Sequence, residues 1–341
     1  MNILVIASHK GGIHYHRQMA PAKNLKEQYG HTIGVCEVES ILKFYSKKIK
    51  WDIIWWSVVV PMEETDIMKW FEIFRAKGSK VVVDIDDYWI RDDDIKYNST
   101  KLGEDRYVWS TEASITYADL VTTTTERLST EIKKLNPSTV VLPNAIDVSE
   151  PQWKMNDKPI GDEIIFGYLG STKHERDVRI MNYNFKQNKK QCLALEQYTP
   201  LLGATEKMEL QTIDTYGEMY DRIDVSVVPL VNTKFSHLKS PLKMVEAGAK
   251  GRAVMAQNIP PYSDHQDLAE NCVMVDDGNW EHEINSLSRK RVVEMQKGLH
   301  KVVMERYTIP VVNKKREECF YLLSKNNIQT FVICMFVLLW Q

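Results

Sequence analysis

The sequence lacks several features that mark common classes of protein. Its five cysteines are scattered and none lies in a CxxC pair, so neither a disulfide framework nor a zinc site is indicated. Lys and Arg number 44 against 46 Asp and Glu, and the formal net charge of −2 gives no general attraction for nucleic acid. These absences predict a cytoplasmic protein with reduced thiols and no nucleic-acid partner.

Long apolar runs are also absent. A membrane-spanning helix needs about 20 apolar residues, and the longest run, TFVICMFVLLW at 330–340, is much shorter. We expect this tail to pack against protein, with peripheral membrane contact as the alternative. The N-terminal MNILVIASHKGG has no basic segment before its apolar run, so no signal peptide is predicted.

Short apolar runs instead alternate with longer amphipathic stretches, which predicts an α/β protein. The strand-length runs lie at 2–7, 32–38, 52–57, 80–85, 119–124, 139–143, 163–171, 224–230, 253–257 and 272–277. Because continuous apolar runs fit strands buried on both faces, the sheets should be parallel with helices on either side. No GxGxxG follows either first strand, which argues against a dinucleotide site.

The length of 341 residues allows two domains. A segment rich in Pro, Asp and Asn interrupts the pattern, and we place a linker at 146–162. It separates a Rossmann-like N-terminal domain, 1–145, from a second doubly wound domain, 163–306, and a final segment, 307–341. Two such units are expected to face each other across a cleft, with ligand-binding loops at the carboxyl ends of their strands.

Two parts of the second half are harder to assign. Between residues 178 and 210 no clear strand is predicted, because the stretch NYNFKQNKKQ is polar. After Trp280 the pattern indicates two helices, about 281–306 and 309–325, with a break at Pro310.

The segment KSPLKMVEAGAKG, 239–251, contains an unusual short helix that Ser240 can cap. Lys239, Lys243 and Glu246 line up within two turns, at spacings of four and three. Two cations at the positive end of the helix macrodipole predict a bound anion. Taken alone, the segment would be interpreted as a surface helix in which Lys243 and Glu246 form an ordinary ion pair, worth about 0.2–0.5 kcal/mol.

Several segments, in their order and spacing, resemble glycosyltransferases of the GT-B fold, specifically the family 4 type. They are SHKGGIHYHRQMAPAKNL, ADLVTTTTERL, VLPNAID, FGYLGSTKHERD, DVSVVPL and KSPLKMVEAGAKG, which together cover nearly the whole chain. The resemblance implies a metal-independent transferase that moves a sugar from a nucleotide-sugar donor to a hydroxyl acceptor with retention. The nucleotide sugar is the substrate, no further cofactor is implied, and the acceptor could be a glycan, a lipid or a protein.

The same resemblance assigns a donor site. It places the donor diphosphate at the start of the helix near Ser240 and the ribose on Glu246. The donor-binding residues that it implies are Gly11, Gly12, Gly170, Ser171, Lys173, Lys239, Ser240, Leu242, Lys243 and Glu246. His174 and Asp177 are further candidates, although helix capping from a Thr172–Glu175 capping box would also explain this segment. Likewise, Gly11 and Gly12 could form only a tight turn.

The string DIDD supplies the catalytic candidates. Asp84, Asp86 and Asp87 imitate the metal-binding DxD of the GT-A fold, but the flanking pattern is not that of GT-A, so no metal is predicted. Asp86 and Asp87 are the predicted catalytic residues, which orient or deprotonate the acceptor hydroxyl. A strand-end turn is the alternative. His14 and His16 have no evident third ligand for a metal.

One departure from the family pattern keeps other functions open. The family signature often has a Glu eight positions before the residue equivalent to Glu246, and here that position is Leu238. A catalytically silent nucleotide-sugar-binding protein is therefore an alternative. A nucleotide-sugar 2-epimerase of the same fold is another, although it needs acid and base residues that we cannot place.

The resemblance also implies that the last helix crosses from the second domain back to the first. The segment 307–326 fits this role. Its pattern predicts Lys314, Lys315 and Arg316 in solvent, with the apolar residues of 320–323 packed.

Overall fold

The fold comes from a computed structural model, which describes residues 1–7, 12–45, 49–57, 62–90, 101–156, 161–171 and 174–325. The chain divides into two compact units. The first comprises Met1–Pro143 together with the segment that starts at Ile309, and the second is Asn144–Thr308. The segment that we place as a linker, 146–162, thus lies within the second unit.

The first unit contains a sheet of six parallel strands in the order β2-β1-β3-β4-β5-β6. The strands are β1 (Asn2–Ala7), β2 (Thr32–Glu37), β3 (Ile53–Ser57), β4 (Lys80–Ile85), β5 (Leu120–Thr123) and β6 (Thr139–Val141). The inner strands β1, β3, β4 and β5 are buried almost throughout, whereas β2 at the edge alternates between exposed and covered residues. Burial on both faces explains why the inner strands read as continuous apolar runs.

Helices connect these strands. They are α1 (Gly12–His14), α2 (Ala20–Tyr29), α3 (Ile41–Tyr45), α4 (Glu64–Ala76), α5 (Lys101–Tyr117) and α6 (Glu126–Ile132), with a 3-10 turn at Val38–Ser40. A π-helical turn, Tyr15–Met19, lies between α1 and α2 and buries His16, Arg17 and Gln18. Turns of this kind are rare and often occur where a side chain has to be aimed inward.

The second unit contains another six-stranded parallel sheet, in the order β12-β11-β10-β7-β8-β9. The strands are β7 (Ile165–Tyr168), β8 (Gln191–Leu195), β9 (Glu206–Met208), β10 (Val225–Val228), β11 (Ala253–Gln257) and β12 (Val273–Val275). The prediction of two doubly wound parallel sheets is therefore confirmed.

Two strands of this sheet lie where none was predicted. β8 is apolar in only four residues and follows a polar stretch, and β9 exposes Glu206 and Lys207. β9 is the edge strand, and edge strands are often short and charged because they have a neighbour on one side only. The prediction of no strand between residues 178 and 210 is wrong for this reason.

The helices of the second unit are α7 (Glu175–Arg179), α8 (Thr199–Leu202), α9 (Lys234–His237), α10 (Leu242–Ala249), α11 (Gln266–Ala269), α12 (Trp280–Ser286) and α13 (Arg289–Arg306). Three 3-10 helices accompany them, at Pro151–Trp153, Glu196–Tyr198 and Tyr216–Arg222. The predicted helix over 281–306 is divided in two, because Leu287 is extended and the Ser288 side chain caps α13 by accepting from the Arg291 amide.

The final helix, α14 (Ile309–Ser324), packs on the first unit. The Asn313 amide donates to the carbonyl of Pro21 at 2.9 Å, and the ring of Phe320 meets that of Trp55 at 5.3 Å. Pro310 lies in the first turn of α14, where a missing N–H costs nothing. In the ranges that the structure covers, no helix is long and apolar enough to span a membrane, and the apolar tail at 330–340 lies outside those ranges.

The prediction that Arg316 is in solvent is wrong. The residue is 1% exposed, with its guanidinium 5.3 Å from the centre of the Trp55 ring. It occupies the buried stripe of α14, which runs from Val312 through Arg316 to Phe320 at intervals of four. Burial, followed by the charge of Arg17, lowers the pKa of Arg316 to about 9.

Each sheet reverses its order next to its first strand. β1 lies between β2 and β3, and β7 lies between β8 and β10. In open α/β sheets, ligands bind outside the carboxyl ends of the strands at such switch points. A ligand is therefore expected to bind at the segments that follow β1 and β3 in the first unit, and β7 and β10 in the second.

Candidate functional site

A buried carboxylate and a lysine form the centre of the candidate site in the second unit. Glu246 on α10 is 2% exposed, and its Oε2 accepts hydrogen bonds from the Tyr220 hydroxyl at 2.8 Å and from Lys243 Nζ at 2.9 Å. Lys243 Nζ also donates to the Tyr216 hydroxyl, which in turn donates to the carbonyl of Leu169 at 2.7 Å. These bonds link α10 to the end of β7.

The charges of this cluster are well defined. Burial acts to lower the pKa of Lys243, but the Glu246 carboxylate and the Tyr216 hydroxyl outweigh it and raise that pKa above its ordinary value. Burial, reinforced by the charge of Glu246, raises the pKa of Tyr220. Burial also raises the pKa of Tyr216. The lysine is therefore an ammonium and both phenols are neutral donors near pH 7.

The ion pair that the i,i+3 spacing allowed does form, but it is not a surface pair. The Glu246 side chain is 3% exposed, whereas the Lys243 side chain is 31% exposed. The ammonium can donate three hydrogen bonds, and Glu246 and Tyr216 accept two of them. The arrangement can therefore present a cation on its outer side while the anion stays fixed inside.

The start of α10 differs from the prediction. Pro241 occupies the N-cap position and no side chain caps the helix, so Ser240 is not the cap. Instead, the Ser240 hydroxyl accepts a hydrogen bond from the amide of Asn144 at 2.8 Å. Leu242, the first helical residue, is half-buried. Lys239 is also half-buried and lies with Nζ 4.7 Å above the ring of Phe235.

Close packing fixes the other end of α10. Gly248 lies inside the helix, where an added Cβ would come within 2.6 Å of Val303 Cγ2 on α13. Gly251, just past the helix, has a φ of +64°, which favours glycine. Gly248 is thus a packing residue inside the helix.

The loop after β7 is the second part of the site. A Cβ at Gly170 would lie 2.2 Å from the Tyr168 hydroxyl, so the buried phenol ring requires glycine there. Ser171 is exposed, and its carbonyl accepts a hydrogen bond from the Tyr198 hydroxyl. Lys173 lies outside the described residues.

The helix that follows this loop carries a histidine–aspartate pair. α7 begins at Glu175 with His174 as its N-cap, and Thr172, the first residue of the alternative capping box, lies outside the described residues. His174 Nδ1 lies 2.7 Å from Asp177 Oδ2, and Asp177 Oδ1 accepts from the backbone amide of Val231 at 2.9 Å. Val231 comes just after β10, so the pair joins the segments that follow two neighbouring strands.

The first unit holds a different ionic cluster. Asp84, in β4, accepts two hydrogen bonds from the Arg17 guanidinium, at 2.9 and 3.1 Å, and one from the Thr122 hydroxyl at 2.9 Å. Arg17 also donates to the carbonyl of Leu142 at 2.6 Å. Both charged side chains are 3% exposed. Asp84 is therefore engaged inside the unit, and the DIDD string does not present three carboxylates on one surface.

The remaining candidates of the first unit lie at the carboxyl ends of its strands. Asp86 and Asp87 follow β4 and are half-buried, and the carbonyl of Asp86 accepts from the Thr124 hydroxyl at 3.3 Å. Gly12 is exposed as the first residue of α1, and Gly11 lies outside the described residues.

The two histidines that follow Gly12 differ in burial. His16 is 4% exposed, and His14 is half-buried, with its pKa lowered by burial. Across the described ranges, no three His, Cys, Asp or Glu residues are arranged to hold a metal ion.

Comparisons with known proteins identify the architecture. No protein-family model matches the chain, and no curated protein sequence matches it. Among solved structures, it is similar to a glycosyltransferase from Rickettsia africae ESF-5, with 13% identity, 95% of this chain and 99% of the other covered, and a TM-score of 0.65. Sucrose-phosphate synthase from Thermosynechococcus elongatus is similar at 12% identity, 94% and 98% coverage, and a TM-score of 0.64.

A third similar structure is that of HepE from Anabaena in complex with UDP-glucose, at 13% identity, 93% and 98% coverage, and a TM-score of 0.62. The chain has the GT-B fold. The predicted fold class is thereby confirmed. Identities of 12–13% establish the GT-B fold alone.

Two residues of the GT-B second unit were missed by sequence reasoning. Tyr216 and Tyr220 lie four residues apart on the 3-10 helix Tyr216–Arg222. This helix packs closely against the segment that contains Gln152: a Cβ added at Gly217 would lie 2.6 Å from the carbonyl oxygen of Gln152. The only available signal was the spacing of two tyrosines shortly before β10. That signal does not say which residues their hydroxyls would reach, because Lys243 and Glu246 follow more than 20 positions later.

Proposed function

We propose that this protein is a glycosyltransferase that moves a sugar from a nucleotide-sugar donor to a hydroxyl acceptor. The GT-B fold and the presence of UDP-glucose in the similar HepE structure support a nucleotide-sugar donor. Relatedness to the family 4 type, retention of anomeric configuration and independence from metal are parts of the same proposal.

The observation that carries the proposal is the burial of the Glu246 carboxylate and its hydrogen bonds to Tyr220 and Lys243. A charged carboxylate that is 2% exposed is costly to bury unless its partners hold it in place. Here Tyr220 and Lys243 do so through one oxygen, Oε2. A carboxylate oriented in this way can accept hydrogen bonds from the two vicinal hydroxyls of a ribose, because each oxygen has more than one acceptor position.

The diphosphate would lie next to the same cluster. Hydrogen-bond donors that suit phosphate oxygens come from three places. They are the half-exposed Lys243 ammonium, the backbone amides at the start of α10 and those of the loop after β7. The proposed donor-binding residues that the structure describes are Gly12, Gly170, Ser171, Lys239, Ser240, Leu242, Lys243 and Glu246. Gly11 and Lys173 stay predictions.

In the proposed reaction, the bond between the anomeric carbon and the diphosphate oxygen breaks and the acceptor oxygen bonds to that carbon. The acceptor proton passes to a base, for which Asp86 and Asp87 at the end of β4 are the candidates. The negative charge that forms on the leaving diphosphate is stabilised by Lys243 and the backbone amides of the donor site, so no step requires a metal.

A thermal-shift screen of nucleotide sugars tests the proposal. A donor at 100 times its dissociation constant stabilises the folded chain by about 2.7 kcal/mol, which is a measurable rise in melting temperature. We expect one base and sugar to stand out. That donor, incubated with chain and acceptor candidates, should release the nucleoside diphosphate. A screen in which no nucleotide sugar shifts the melting temperature would contradict the proposal.

A nucleotide-sugar-binding protein without catalysis is the second candidate. The position where the family often has its first Glu is Leu238, and this side chain is 5% exposed inside the unit. A leucine there cannot hold sugar hydroxyls. Donor binding without any release of nucleoside diphosphate, under conditions that saturate the site, would favour this alternative.

A further inference from the structure

The His174–Asp177 pair has a defined hydrogen arrangement. Asp177 Oδ1 accepts a hydrogen bond from the backbone amide of Val231, and Oδ2 lies 2.7 Å from His174 Nδ1. A carboxylate oxygen only accepts hydrogen bonds, so a hydrogen bond to a carboxylate requires a hydrogen on Nδ1. His174 therefore carries its hydrogen on Nδ1, and the nitrogen that points away from the carboxylate is Nε2.

Exposure separates the two members of the pair. The His174 side chain is 32% exposed, whereas the Asp177 side chain is 10% exposed. The backbone of His174 is anchored as well, because its amide donates to the Tyr198 hydroxyl at 2.9 Å. The result is an imidazole whose inner nitrogen is fixed by a buried anion and whose outer nitrogen can meet a ligand.

The position of the pair in the sheet is the second observation. His174 belongs to the connection after β7 and Val231 to the connection after β10, and the sheet reverses its order between these two strands. Ligands of open α/β sheets bind at this point. The charges of Asp177, Lys243 and Glu246 all act on the buried phenol of Tyr262, so the pair borders the same region as the Lys243–Glu246 cluster.

We propose that His174 binds the diphosphate of the donor through Nε2 and that Asp177 is a positioning residue for this contact. The proposal rests on the proposed function, because it assumes a nucleotide sugar at this site. A protonated imidazole places a positive charge beside the phosphates, in addition to Lys243, whose charge is partly offset by Glu246. His174 thereby stabilises both the bound donor and the departing diphosphate.

Affinity should depend on pH in a direction that the contact fixes. A bound dianion favours a protonated over a neutral imidazole, so donor affinity should be higher in acid and should fall as pH rises. The neighbouring ionisable groups from other elements include the phenols of Tyr168, Tyr198 and Tyr262 and, on the other side of Tyr262, the Lys243–Glu246 pair. Phenols ordinarily titrate near pH 10, so they do not change charge between about pH 5.5 and about pH 8.

The other charged groups on the helix of His174 are Glu175, Arg176, Asp177 and Arg179. Glu175 is paired with Arg179. A pH dependence of donor affinity within this range can therefore be assigned to His174 by substitution.

The test compares UDP-glucose with uridine by calorimetry, or the corresponding pair for whichever base the thermal-shift screen selects. Both phosphates of a nucleotide sugar are esterified, so the ligand itself does not titrate in this range. We expect UDP-glucose affinity to fall about fivefold or more between about pH 5.5 and about pH 8, and uridine affinity to stay constant. His174→Gln should weaken UDP-glucose about tenfold at the lower pH and remove the pH dependence.

Two further variants complete the test. Asp177→Asn removes the anion that orients the imidazole, so it should reduce both the affinity for UDP-glucose at low pH and its pH dependence. His282→Gln is the matched control, because His282 is an exposed histidine of α12 in the same unit, and it should behave as the wild type. If His174→Gln fails to fold, as judged by its melting temperature, His174→Asn replaces it.

Each outcome decides between the possibilities. The inference is wrong if wild-type affinity for UDP-glucose is independent of pH, if His174→Gln keeps the wild-type profile, or if the variant loses uridine and UDP-glucose equally. A wild-type chain that binds no nucleotide sugar contradicts the proposed function itself, and this inference with it.

Discussion

The two units each contain a buried acid–base pair, and the pairs differ in one respect that separates structure from function. In the first unit, Arg17 and Asp84 are both 3% exposed. In the second, Glu246 is equally buried, but its partner Lys243 is 31% exposed. A pair in which both side chains are buried can only stabilise the unit. A pair in which one side chain reaches solvent can bind a ligand while it keeps its internal hydrogen bonds.

The difference follows from where each acid lies in its unit. Asp84 is part of a central strand. Its carboxylate accepts hydrogen bonds from two buried residues, Thr122 on the neighbouring strand and Arg17 in the π-helical turn. Glu246 lies on a helix, one turn after Lys243, whose side chain is 31% exposed. On this helix, the partly exposed Lys243 connects the buried carboxylate of Glu246 with the surface of the unit.

The largest effect expected from this comparison is on stability. Asp84→Ala leaves Arg17 buried without its counter-charge, so the free energy of unfolding should fall by about 3–5 kcal/mol. Urea unfolding measures this change. Asp66→Ala, which removes an exposed partner of Lys69, should change it by less than about 1 kcal/mol. Equal losses in the two variants would remove the distinction between closed and exposed pairs.

The next effect concerns binding. Glu246→Gln keeps the shape of the side chain but removes its charge, so donor affinity should fall about 10- to 100-fold, as expected when a hydrogen bond to a charged group is lost. Its unfolding free energy should fall by less than that of Asp84→Ala, because the ammonium of Lys243 can turn to solvent. Calorimetry with the donor measures the affinity. Glu175→Gln, at an exposed ion pair of the same unit, is the control.

Loss of stability without loss of affinity in Glu246→Gln would break the comparison. It would mean that the pair in the second unit is as purely structural as the one in the first.

A smaller effect is expected at the phenol that holds Glu246. Tyr220→Phe removes the hydrogen bond from Tyr220 to Oε2 and leaves the bond from Lys243, so donor affinity should fall about three- to tenfold. The loss should be the same for the nucleoside as for the nucleotide sugar, because Tyr220 acts through Glu246. Tyr183→Phe, which breaks a hydrogen bond to Asn285 away from the site, should leave both affinities unchanged. A loss confined to the nucleotide sugar would assign Tyr220 to the phosphates instead.

Most of the fold could be predicted from local patterns. β1, β4 and β11 have the predicted bounds, because a strand buried on both faces must be apolar along its whole length. β8 and β9 were missed because their side of the sheet ends in a charged edge strand, so the pattern is weak. Arg316 was misplaced because its charge was taken to require solvent, whereas the side chain lies in the buried stripe of α14 and over the ring of Trp55.

The candidate site divides in the same way. The spacing of three within one helix allows the pairing of Lys243 with Glu246, which the sequence analysis gave as the alternative to a donor site. The partners that arrive from elsewhere could not be predicted. Tyr220 comes from a 3-10 helix, and the amide that binds Asp177 belongs to Val231, which follows β10, the strand next to β7 in the sheet. Such contacts depend on the order of the strands in the sheet, which cannot be deduced from the hydrophobic periodicity of the sequence.

The smallest expected effect is that of metal removal, for which we expect no change in turnover beyond about twofold. The DIDD string could bind a metal only if its carboxylates converged, but Asp84 is occupied by Arg17 and Thr122. Under the proposed function the diphosphate would be stabilised by Lys243, and by His174 as a second cation under the further inference. Turnover of the donor identified by thermal shift should therefore persist in excess EDTA at fixed pH. Activity abolished by the chelator and restored by manganese or magnesium would show that Asp86 and Asp87 act with a metal, and the catalytic role proposed for them would have to change.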